Sequence, residues 1–101
     1  MQREDKQRYG ALDKYFSETK EALKRCDRSY PSSSQIYNYL DEDTREEVPA
    51  TTFGWAVSAL NDLGAFELWN DDVHDTNRYD LTTLDEDYLD SIEKILDQEL
   101  S

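Results

Sequence analysis

The chain has 101 residues, which is room for one domain and no second, and its low apolar fraction of 37% is offset by two Trp, seven Tyr and three Phe, enough for a lean core. Twenty-four Asp and Glu against 11 Lys and Arg give a net charge of −13, which sets the chain against DNA in dilute buffer and leaves three readings: a disordered acidic segment, a DNA mimic or binder of basic partners, and a surface built for molar salt. Periodic apolar residues and many aromatics oppose disorder, while molar salt shortens the Debye length to about 3 Å and silences self-repulsion, favouring the third reading.

In chain order, Tyr9, Leu12, Phe16, Leu23 and Cys26, with Thr19 in the gap, recur at steps of three and four and predict one amphipathic helix over Arg3–Cys26, interrupted only by Gly10. Cys26 falls on that stripe and has no partner for an internal disulfide, so it is expected as a plain buried thiol, with a nucleophile or redox sensor as the minor alternative. This first stretch also holds eight of the 11 basic groups and six acidic ones, so residues 1–28 are locally net positive while 29–101 carry 18 acidic against three basic. Tyr30-Pro31 breaks the period, and Ser32, Ser33 and Ser34 offer hydroxyls to cap a second helix with Ile36, Tyr37 and Leu40, which ends in the polar run Asp41–Glu47. A third helix runs from about Pro49 to Leu63, with Phe53, Val57 and Leu60 inward and Gly64 placed for a left-handed end.

After Gly64 the period becomes two. Phe66 and Leu68 alternate with Glu67 and Trp69, a polar loop follows, and Arg78–Thr82 alternates again: two strands of a hairpin. Trp69 is expected to pack under it. A last helix from about Leu84 to Leu100 carries Tyr88, Ile92 and Ile95, with Leu89 and Leu96 beside them. The cluster Asp71, Asp72, His74 and Asp75 lacks the turn glycine of an EF-hand and the ligand pattern of a zinc site, and reads as a solvated acidic loop. No nucleophile, phosphate-loop or cofactor motif is present, so neither enzymatic activity nor a cofactor or metal is expected. The absence of any run of about 18 apolar residues, and of an apolar stretch in MQREDKQRYG, predicts a soluble, cytoplasmic protein with no membrane span. The stripes Leu12, Phe16, Leu23 and Tyr88, Ile92, Leu96 are expected to be left half exposed on a monomer and to be covered in a two-fold homodimer.

The stretch Val48–Phe66, in which Thr52, Phe53, Val57, Leu60, Gly64 and Phe66 hold the key positions, resembles the recognition-helix signature of prokaryotic and archaeal winged helix-turn-helix transcription regulators. Asn77-Arg78-Tyr79-Asp80-Leu81 is similar to the family's Arg-containing second wing strand, and the acidic excess looks like that of a haloarchaeal member. The resemblance covers about residues 32–82 and implies a mainly α fold with a small β-hairpin (α+β): a winged helix-turn-helix core over 32–82, with extra helices over 1–28 and 84–100. It implies binding of double-stranded, palindromic DNA by a homodimeric regulator, through Ala50, Thr51, Thr52, Trp55 and Ser58 of the third helix, Ser33 and Ser34 of the second, and Asn77 and Arg78 of the wing. The chain departs from the family at Trp55, where many members place Arg or Lys, and no charged residue lies between Pro49 and Asn61. That helix therefore reads DNA through hydroxyls, methyl contacts and Trp55, or it binds a protein partner. Trp55 itself is either a packed ring or a contact residue, and Arg78 either a phosphate contact or half of an ion pair with Asp80 or Asp75.

Overall fold

A computed structural model of the chain describes residues 3–69 and 78–100. The N-terminal stripe forms two helices rather than one: α1 (Arg3–Lys14) and α2 (Phe16–Arg25) meet at Tyr15, whose φ of −120° and ψ of 32° leave the helical region. Gly10 does not break the helix; Thr19 lies one turn beyond the break at Tyr15. Its hydroxyl donates to the Tyr15 carbonyl at 2.8 Å while its own amide donates there at 3.0 Å, and this sharing of one carbonyl is a known cause of helix bending. Thr19 is fully buried, so the polar gap in the stripe does structural duty.

Ser32, not Ser33 or Ser34, starts the next helix, α3 (Ser33–Tyr37). Its hydroxyl accepts from the Gln35 amide at 3.3 Å and its amide donates to the Gln35 side chain at 3.0 Å, a reciprocal capping box. The expected polar end of this helix is a separate one, α4 (Glu42–Glu47), because the chain turns at Asn38–Leu40 to carry Leu40 into the core while α4 buries no side chain. The Tyr37 hydroxyl reaches the carbonyls of Arg45 at 2.8 Å and Val48 at 2.5 Å, holding the end of α4 onto α3.

The long helix α5 (Ala50–Leu63) follows Pro49, which stands at the cap rather than inside the first turn. Phe53, Ala56, Val57, Ala59 and Leu60 are buried. Gly64 closes the helix at φ 91°, a left-handed conformation that costs a side-chain-bearing residue about 1–2 kcal/mol; the Ala65 amide then returns to the Leu60 carbonyl at 3.1 Å.

The strands β1 (Glu67–Trp69) and β2 (Arg78–Asp80) pair antiparallel, with Glu67 opposite Asp80, Leu68 opposite Tyr79 and Trp69 opposite Arg78. β2 is shorter than its alternation predicts, because the Asp80 carboxylate accepts from the Thr82 amide at 3.0 Å and turns the chain into a 3₁₀ turn over Leu81–Thr83. The extended residues before α3 lie along the free edge of β2. Tyr79 and Leu81 donate their amides to Pro31 and Ser29, each at 2.9 Å, and Ser32 forms an antiparallel bridge with Arg78. The last helix, α6 (Glu86–Leu100), starts two residues later than expected, capped by the Asp85 carboxylate on the Tyr88 amide at 3.1 Å.

The architecture is thus mainly helical with one small antiparallel hairpin, an α+β arrangement. Its core gathers Leu12, Phe16, Leu23, Ile36, Phe53, Leu60, Phe66, Tyr79, Leu89 and Ile92 into one cluster. Phe53 meets Tyr37 edge-on at 5.2 Å, and Phe66 meets Tyr79 at 5.4 Å and 82°. Four residues expected at a dimer interface need correction: Leu12, Phe16, Leu23 and Ile92 are at most 6% exposed within the single chain. The reason is packing: α1 lies along α5, and α6 returns beside α1 and α2, so most of both stripes is covered within the single chain. No helix among the described residues is long and apolar enough to cross a membrane.

Candidate nucleic-acid interface

With Phe53, Val57 and Leu60 turned inward, the opposite stripe of α5 runs Thr51, Trp55, Ser58, Asp62 at helical spacing. Its first half is open: Ala50 and Thr51 are exposed, Thr52 is half-buried and Trp55 is 36% exposed, a ring partly packed and partly at the surface. The second half is roofed by α1. Arg8 donates from Nη1 to the Ser58 hydroxyl at 2.9 Å and pairs with the Asp62 carboxylate at 2.5 Å. The buried Tyr79 side chain lies beside them, and its pKa is raised, first by burial and then by the nearby Asp62 carboxylate. Ser58 is half-buried and already engaged by Arg8.

The open end of α5 adjoins the start of α3, where the Ser33 Oγ stands 3.7 Å from the point a Cβ on Gly54 would occupy. Ser33 is half-buried and Ser34 exposed, both in the first turn after the Ser32 cap. From Ser32 the backbone bridge leads directly to Arg78. The Arg78 guanidinium donates to the Tyr30 carbonyl at 3.2 Å, and among the described residues it forms no salt bridge, so Asp80 is not its partner. Asp75 and Asn77 lie outside the described residues, as does the acidic loop of Asp71, Asp72 and His74. Among the described residues no group of His, Cys, Asp and Glu is arranged to hold a metal ion.

Trp69, expected beneath the hairpin, is instead 36% exposed on its outer face, against Tyr30 with ring centroids 5.2 Å apart and planes at 39°. Tyr30 and Arg8 are the two residues at this surface that sequence reasoning did not single out. Tyr30 precedes a proline, which forces it into extended backbone beside β2, and this is the local signal that was present. Arg8 has none, because its contact spans fifty residues of chain.

Of the cations of the net-positive first segment, Arg8, Lys20 and Arg25 are held in ion pairs within the chain. Lys20 reaches Asp90 at 2.6 Å and Glu93 at 3.0 Å, and Arg25 reaches Glu21 at 2.5 Å and Asp41 at 3.1 Å. Hydrogen bonds to those carboxylates raise the Lys20 pKa, and the Lys20 ammonium lowers that of Asp90. Cys26 is half-buried, and burial pushes its thiol pKa up, away from the reactive thiolate. No protein-family model, curated protein or solved structure matches the chain.

Proposed function

We propose that the chain is a winged helix-turn-helix regulator of a halophilic archaeon that binds double-stranded DNA as a homodimer, with α5 as the recognition helix and the β1–β2 hairpin as the wing. The observation that carries this reading is the continuity of one surface, from Thr51 and Trp55 on α5, through Ser33 and Ser34 at the start of α3, to Arg78 on β2 by way of the Ser32 bridge. Such a surface offers hydroxyls and one cation to phosphates, and a helix with an aromatic ring to base edges. Arg78 uses one donor on Tyr30 and keeps others for a phosphate oxygen. Cytoplasmic location and a palindromic site go with the same reading.

The test is duplex binding from dilute to multimolar KCl with a randomised pool. Binding is expected only as salt screens the acidic surface. Arg78→Ala then weakens all sequences alike, because a phosphate contact positions without specifying, whereas Thr51→Ala or Trp55→Ala shifts the preferred site, each lost base contact costing roughly 1–3 kcal/mol. Ser58→Ala is expected to act on folding more than on binding, given its half-buried position and its bond to Arg8.

A second reading is favoured by the uncharged stretch between Pro49 and Asn61 together with the net charge of −13: a winged-helix interaction module or acidic DNA mimic that takes a basic protein partner. A folded protein that binds no duplex at any salt, or in which Arg78, Thr51 and Trp55 all tolerate Ala without effect, removes the regulator in favour of this alternative.

A further inference from the structure

The small sheet has a covered face and an open one. Pro31 and Tyr79 are buried against the core, and the period of two turns their neighbours Tyr30 and Arg78, with Trp69 opposite Arg78 on β1, to the other side. An outer sheet face is ordinarily polar. This one carries two aromatic rings, Tyr30 43% and Trp69 36% exposed, which belong to the segments flanking β2 and meet across it with centroids 5.2 Å apart and planes at 39°. The Arg78 guanidinium reaches the same place, using one of its donors on the Tyr30 carbonyl at 3.2 Å.

We propose that this face takes single-stranded nucleic acid, an unpaired base stacking on Trp69 and Tyr30 while Arg78 holds the adjoining phosphate. The inference goes beyond the duplex reading and stands without it, because bases paired in a duplex stack on one another and only unpaired ones can be splayed onto a protein ring. Ring geometry selects the occupant. Two rings in contact form a platform on which a flat base can lie, whereas a proline ridge or an alkylammonium group needs rings that stand apart and enclose it. Arg78 beside the rings complements a phosphate and opposes a lysine or arginine from a partner. Of the carboxylates on this face, that of Asp80 is taken up by the Thr82 amide and hydroxyl, and Glu67, opposite Asp80, lies one pair further along than Trp69 and Arg78. Stacking also suits a chain of net charge −13, since it needs no attraction between net charges and persists in salt that weakens phosphate contacts.

The test titrates the full chain with short oligothymidylate, short oligouridylate and a duplex, from dilute to multimolar KCl, following tryptophan fluorescence and the anisotropy of a labelled strand. The expected result is single-strand binding at molar salt with quenched tryptophan emission, the tighter of the two strands naming the sugar. Trp69→Leu, apolar but without an aromatic face, weakens it by about 10-fold or more, circular dichroism showing that the variant is folded. Trp69→Phe keeps the binding and loses the quenching. A chain that binds neither single strand at any salt overturns the proposal, as does a Trp69→Leu variant that binds like the wild type. So does a wild type that takes up a proline-rich or lysine-rich peptide, and no oligonucleotide, in a Trp69-dependent way. Single-strand binding with the expected Trp69 dependence and no duplex binding supports the platform and removes the regulator; duplex binding alone does the reverse.

Discussion

Tyr79 joins three parts of the molecule through one side chain. Its ring packs edge-on against Phe66, its backbone belongs to β2, and its hydroxyl lies among Ser58 and Asp62 of α5 and Arg8 of α1. Because burial and Asp62 raise its pKa, the folded state holds the phenolic proton more tightly than the unfolded chain does. The stability this contributes is therefore complete below the unfolded tyrosine value of about 10 and is lost as pH rises through the higher folded value. Lys20, also raised, acts in the same alkaline direction. Tyr79→Phe is expected to change stability at neutral pH by no more than about 1 kcal/mol and to flatten the alkaline limb of the stability profile, measured by chemical denaturation at fixed KCl. At this scale the sequence was readable where one residue's own chemistry decides, as at Gly64. It was not readable at Trp69, where alternation predicts a side but not whether anything covers it.

Among the elements, the short helix α3 depends most visibly on one residue. Ser32 both caps it and bridges to Arg78, so it couples the start of the helix pair to the hairpin. Ser32→Ala is expected to destabilise the fold by about 0.5–2 kcal/mol, seen as a lower denaturant midpoint at unchanged slope, whereas Ser34→Ala, at an exposed position, has little effect. The spacing Ser32-x-x-Gln35 is itself a capping-box signature, and that spacing alone distinguishes Ser32 from its two serine neighbours. The bend at Tyr15 is different. The stripe from Tyr9 to Cys26 is continuous at helical spacing, and only the burial of Thr19 drives its hydroxyl onto a backbone carbonyl. Likewise the split of the second helix at Asn38–Leu40 follows from the position of the core, which requires Leu40 inside, and not from a helix-breaking residue.

For the whole molecule, charge and packing pull in opposite directions. The ion pairs Arg8–Asp62, Lys20–Asp90 and Arg25–Asp41 tie the net-positive first segment to the acidic remainder, but each is partly exposed and contributes little on its own. The excess of carboxylates remains, and its self-repulsion is unscreened in dilute buffer. Thermal unfolding followed by circular dichroism is therefore expected to move upward as KCl rises into the molar range, each 1 kcal/mol of relieved repulsion raising Tm by about 4–8 °C for a chain of this size. A midpoint that falls with salt would mean that the ion pairs outweigh the repulsion. What the amino-acid sequence determined by itself was local: the helical and alternating periods, the Gly64 terminus, the charge asymmetry, and the stretch without charge between Pro49 and Asn61. Those follow from the geometry of a few neighbouring residues. Only the tertiary structure decided that Leu12, Phe16, Leu23 and Ile92 belong to the core and Ile95 to the surface, and that Arg8 covers Ser58. Burial depends on which distant faces meet, and the stripes of α1, α2 and α6 have the same period whether they pack on each other or on a second molecule.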